Sequence, residues 1–125
     1  MTELKSKYFT EKERGCQCGN CGRSQGMKQE IVDMFDDLRE MCGFPLRMTS
    51  GFRCPLHSKN PGGSHGAGEA GDIGVSRSEA YFVLKYAFIL GFTGIGVKQH
   101  GDGRFIHLDK SSNVKALRPT IFSYK

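Results

Sequence analysis

His65 and Asp72 stand seven positions apart in Ser64-His65-Gly66-Ala67-Gly68-Glu69-Ala70-Gly71-Asp72-Ile73, a stretch made mostly of small residues. For the imidazole and the carboxylate to meet, the chain must turn sharply between them, and glycine supplies the backbone freedom to do so. The pattern predicts a permissive loop after His65 and then a strand that carries Asp72 back to the same point. A second histidine follows in Phe105-Ile106-His107-Leu108-Asp109. Two imidazoles and a carboxylate form a common catalytic zinc set, because three protein ligands leave one position open to water. The remainder of the chain reads as scaffold for that site.

Hydrophobic periodicity outlines the scaffold. Met27, Ile31, Met34, Phe35, Leu38 and Met41 recur at three- and four-residue steps, which predicts an amphipathic helix over 27–42. Gly43 is its expected stop, and Pro45 prevents continuation. Leu46 to Phe52 and Ala70 to Val75 read as short strands. Ser76-Arg77-Ser78-Glu79 has the form of a capping box and opens a helix that Gly91 ends. Tyr81, Leu84 and Phe88, flanked by Ala80, Val83 and Ala87, are its expected buried side. Gly94 to Lys98 and Arg104 to Asp109 form a hairpin across His100-Gly101-Asp102-Gly103. Residues 110–125 read as an irregular tail, with Phe122 and Tyr124 tucked back. The expectation is an α+β domain, a small antiparallel sheet with helices packed on one side.

With 125 residues and 38% hydrophobic content the chain suits one domain with one core. No apolar run is long enough for a transmembrane helix, and Met1 to Lys7 lacks the apolar region of a secretory signal. The expected route is therefore synthesis in the cytoplasm and action elsewhere only after release. Eighteen basic against thirteen acidic residues leave a net charge of +5, which favours anionic partners such as wall polymers or nucleic acid. Five cysteines, without an export signal, argue against a disulfide framework. Cys42 falls in the apolar helical stretch and reads as a small buried hydrophobe.

Ser50-Gly51-Phe52-Arg53, His65-x-x-Gly68-x-Ala70-x-Asp72-Ile73, Gly94-Ile95-Gly96-Val97 and Phe105-Ile106-His107-Leu108-Asp109 occur in that order. Together they resemble the zinc D-Ala-D-Ala carboxypeptidase and murein endopeptidase family, which includes VanY-like enzymes, many phage endolysins and the hedgehog signalling domain. The resemblance spans roughly residues 8 to 110. It implies a hedgehog-like α+β fold over 1–125, one catalytic zinc held by His65, Asp72 and His107, and hydrolysis of peptide bonds in peptidoglycan by a monomeric phage or prophage lysin. Nucleic-acid binding is not expected, since a zinc ribbon needs a second Cys-x-x-Cys and residues 16–23 lack interleaved aromatics. Because the hedgehog branch keeps the metal without clear peptidase work, the alternative is a non-catalytic zinc-binding adaptor domain of a phage particle. Arg53 matches a family arginine near the site, where its donor fork suits a substrate carboxylate or a developing oxyanion.

Some relatives carry an acid three residues before the last histidine; here that position is Arg104. Asp109 shares a strand face with His107 and matches the His-x-Asp form of one family branch. It is the expected general base, or else the partner that orients His107. Asp102, His100 and Glu69 are alternatives. Cys18-Gly19-Asn20-Cys21-Gly22 has the form of a zinc knuckle, and Cys16, Cys54 and His57 are available to complete a second, structural zinc site. Reduced thiols, or a disulfide formed after release, are the alternatives there.

Overall fold

The computed structural model describes residues 4–16, 26–53 and 63–125. In chain order it contains α1 (Glu11–Arg14), α2 (Gln29–Cys42), β1 (Met48–Ser50), α3 (Gly63–Gly66), β2 (Ala70–Ile73), α4 (Arg77–Leu90), β3 (Gly94–Lys98), β4 (Phe105–Asp109) and β5 (Thr120–Ser123). The strands form one sheet in the order β1-β2-β4-β3-β5. The first four strands pair antiparallel, but β5 lies parallel to β3. The sheet is therefore mixed rather than purely antiparallel, and the tail contains an edge strand rather than irregular chain throughout.

Side chains alternate across each strand, so the two faces of the sheet take different chemistry. Ile73, Ile95, Ile106 and Leu108 join the apolar core with Ile31, Val32, Phe35 and Leu38 of α2 and Ala80, Val83 and Ala87 of α4. Gly71 sits beneath the Phe35 ring, where a Cβ would come within 2.8 Å of Cζ. The opposite face carries Asp72 on β2 and His107 and Asp109 on β4, with Gly94 and Gly96 beside them on β3.

Both long helices end as their glycines require, with Gly43 and Gly91 in the left-handed conformation at φ 75° and 93°. The buried face of α4 is only part of the expected one, with Leu84 packed against the core. Ala80, Val83 and Ala87 are buried, whereas Tyr81 and Phe88 are 66% and 54% exposed. Two stripes of the same period compete on this helix. The one with two alanines faces inward, where small side chains let a helix approach its neighbours closely. Met41 likewise lies outside the core, while Val32 lies inside it. The Ser76 capping box does not form: the Ser76 side chain makes no cap hydrogen bond, and Arg77 has φ 53°.

The polar N-terminus is tied down at several points. Phe9 is buried edge-on against Phe35 at 6.2 Å. Thr10 and Glu13 form a reciprocal capping box on α1, and Glu13 also accepts a 2.9 Å hydrogen bond from the Met48 amide at the start of β1. Cys42 is half-buried against the core, and burial pushes its thiol up to about 11 despite the nearby Arg39.

Candidate metal centre

Three backbone elements converge on one point. His65 comes from the short helix α3, where the expectation was a loop. The chain then turns through Gly68 at φ +74°, packed so closely on Gly26 that a Cβ would overlap its carbonyl oxygen. β2 follows at once and presents Asp72, which pairs in register with His107 on β4. The turn demanded by the His65–Asp72 spacing is thus made by one helical turn and one left-handed glycine.

His65 Nε2, His107 Nδ1 and Asp72 Oδ1 form a near-equilateral triangle, with sides of 3.2, 3.1 and 3.2 Å. All three residues are buried, at 3–5% exposure. The outer nitrogen of each imidazole is already engaged. His65 Nδ1 lies 2.7 Å from the Gly51 carbonyl oxygen, and His107 Nε2 lies 2.6 Å from Asp109 Oδ2. Carbonyl and carboxylate oxygens only accept, so each outer nitrogen carries the proton. The inner nitrogens then turn their lone pairs toward each other and toward the Asp72 oxygen, an arrangement that calls for a cation at its centre.

Zinc fits this donor set. A tetrahedral ion with ligand bonds of about 2.0–2.1 Å spaces its ligand atoms about 3.3–3.4 Å apart, close to the triangle observed. The electrostatics agree. Burial pushes the Asp72 carboxyl up, but the adjoining imidazoles of His107 and His65 outweigh it and hold the group at about 2. His107 is shifted the other way: burial disfavours its charged form, yet Asp109 and Asp72 raise its proton affinity above the ordinary value. A pocket that favours a proton here favours a metal cation for the same reason. Among the described residues, His65, Asp72 and His107 are the group able to hold a metal ion.

The surrounding residues divide into those at the centre and those apart from it. Arg53 Nη2 lies 3.5 Å from Asp72 Oδ2, while its Nε donates to Ser50 Oγ at 3.2 Å. Asp109 is fully buried and accepts four hydrogen bonds. They come from His107 Nε2, from Arg118 Nε at 2.8 Å, from Arg118 Nη2 at 2.7 Å and from the Ser111 amide at 3.3 Å. Burial raises the Asp109 carboxyl, but His107 and Arg118 outweigh it and hold it well below the usual carboxylate range. Glu69 is turned away, accepting from Lys28 Nζ at 2.6 Å and from the Ser112 amide at 3.1 Å. His100 and Asp102 lie exposed in the β3–β4 turn. Of the cysteines, Cys16 is half-buried, and Cys18, Cys21 and Cys54, with His57, lie outside the described residues.

Two tail residues at the centre were not singled out as site residues from sequence. The Phe122 ring stands 5.3 Å from the His107 imidazole and 5.7 Å from the Tyr124 ring. Tyr124 is half-buried, and burial and the nearby Asp72 carboxylate raise its phenol to about 12. Arg118 reaches Asp109 from the same segment. The available signal was the i, i+2 spacing of Phe122 and Tyr124, a strand periodicity in a segment read as irregular.

A mixed sheet carries Asp72 and His107 on the face away from α2 and α4, and α3 brings His65 to them, so that the three form a group able to hold a metal ion. The family comparison is specific: the model for Peptidase M15 matches residues 5–109, and the chain belongs to that family of zinc-dependent peptidases. No curated protein and no solved structure matches the chain significantly.

Proposed function

We propose that this peptidase hydrolyses peptide bonds of bacterial peptidoglycan, as a carboxypeptidase or endopeptidase, and serves as a phage or prophage lysin. The observation that carries the catalytic reading is the convergence of His65 Nε2, Asp72 Oδ1 and His107 Nδ1, with both outer imidazole nitrogens already held. When bound, zinc supplies Lewis acidity to the scissile carbonyl and makes water acidic enough to act as a nucleophile near neutral pH. His65, Asp72 and His107 would hold the ion. Arg53, 17% exposed beside Asp72, is placed to receive a substrate carboxylate or the oxyanion that develops at the carbonyl. Tyr124, protonated up to about 12, borders the site as a neutral hydrogen-bond donor. Asp109 has its oxygens committed to four donors, so its role in this reading is to hold the proton on His107 Nε2 rather than to take one from water. The net charge of +5 supports attachment to an anionic wall.

The test is release of soluble peptide from purified sacculi. Release that stops with a chelator, returns with zinc and is absent in His65→Ala is the expected result. Zinc binding without any release from sacculi would favour the non-catalytic adaptor domain instead.

A further inference from the structure

We infer that Arg118 is a positioning residue of the metal centre, acting through Asp109 on His107. The inference rests on the zinc reading of the three-residue cluster. The matched family region ends at residue 109, and Arg118 lies beyond it in the tail. Its guanidinium grips the Asp109 carboxylate with two parallel bonds, Nε to Oδ1 at 2.8 Å and Nη2 to Oδ2 at 2.7 Å. The same Oδ2 accepts from His107 Nε2 at 2.6 Å. Asp109 has no exposed surface, and the Arg118 side chain is 20% exposed.

A two-pronged arginine–carboxylate contact fixes the plane of the carboxylate, which a single-point contact does not. The plane of Asp109 in turn sets where its acceptor oxygen meets His107 and so the rotation of the imidazole ring. Aiming Nδ1 at the His65–Asp72 pair depends on that rotation. Arg118 also balances the buried Asp109 charge, which keeps the carboxylate an acceptor and His107 a donor at Nε2. Partners behind a metal-ligating histidine typically change metal affinity when lost. The parallel docking of β5 on β3, with Thr120 beside Gly94 and the Thr120 amide donating to the Thr93 carbonyl, holds the chain just after Arg118 against the strand next to Asp109. The tail is in this sense part of the metal centre.

The experiment measures zinc affinity by chelator competition for the full chain, with circular dichroism to confirm folding. Arg118→Met is expected to weaken zinc binding by about 10–100-fold. Arg118→Lys keeps the charge but not the fork, so it should remain folded and fall between the two. Asp109→Asn is measured alone and combined with Arg118→Met. If Arg118 acts through Asp109, the double variant binds zinc no more weakly than Asp109→Asn does. Wild-type affinity in folded Arg118→Met, or in Arg118→Lys should the methionine variant fail to fold, overturns the inference. So do independent, multiplying losses in the double variant. Absence of zinc binding by the wild-type chain would instead overturn the metal-centre reading on which the inference rests.

Discussion

Asp109 is the residue whose role changes most once its neighbours are known. By strand alternation it shares a face with His107, which makes it a natural base. In the fold it meets Arg118, His107 and the Ser111 amide, and no oxygen is left to approach water. Asp109→Asn is therefore expected to weaken zinc affinity by about 10–100-fold, with turnover recovering at high zinc. A base would behave differently: occupancy would stay intact and turnover would fall by about 10²–10⁴-fold. Measuring occupancy and turnover on the same samples separates the two. Full occupancy with collapsed turnover would restore Asp109 as the base.

At the scale of elements, β3 is built around what β4 must hold. A Cβ at Gly94 would overlap the Asp109 carboxylate, and one at Gly96 would come within 2.6 Å of the Phe122 ring and 2.9 Å of His107 Cβ. Gly94→Ala should cost about 1–3 kcal/mol, as overpacking does, and should also weaken zinc binding by displacing Asp109. A variant with wild-type melting temperature and zinc affinity would refute that reading. The junction of α2, β2 and the tail depends on Glu69. Burial raises its carboxyl, but Lys28 and Ser112 outweigh it and lower it below the ordinary value. A carboxyl depressed in the folded state stabilises fully above its unfolded pKa of about 4.3 and loses that contribution as pH falls through the folded value. Urea unfolding of wild type between about pH 5 and 3 should fall more steeply than that of Glu69→Gln. Parallel pH profiles for the two would show that Glu69 contributes no such linkage.

Across the whole molecule, the sheet separates two tasks. One face supports α2 and α4 through aliphatic side chains, and the other gathers the charged and aromatic groups of the candidate metal centre. The cysteines raise a further question at this scale. If Cys16, Cys18, Cys21 and Cys54 hold a structural ion, each chain should carry close to two zinc ions, and Cys18→Ser should lower the melting temperature, since metal binding to the folded state adds to stability. Elemental analysis near one zinc per chain, with those thiols titrating freely in the native state, would remove the second site.

Local pattern was enough to place much of this. The apolar spacing of α2, the glycine stops at Gly43 and Gly91 and the β3–β4 hairpin are short-range signals, because helix and strand periods and glycine conformations belong to the chain itself, whereas the His65, Asp72 and His107 set was read from residue types and the family resemblance. Tertiary structure decided the rest. Thr10-x-x-Glu13 caps a helix while Ser76-x-x-Glu79 does not, since a cap forms only where the approaching backbone allows it. The stripe on α4 that turns inward depends on how closely the helix must approach its neighbours. The parallel pairing of β5 with β3 and the grip of Arg118 on Asp109 depend on contacts across the sheet that no local period encodes. The sequence alone determined which atoms are available to hold a metal, because ligand chemistry is a property of the side chain. Only the tertiary structure decided which residues aim them, because orientation is set by partners distant in the chain.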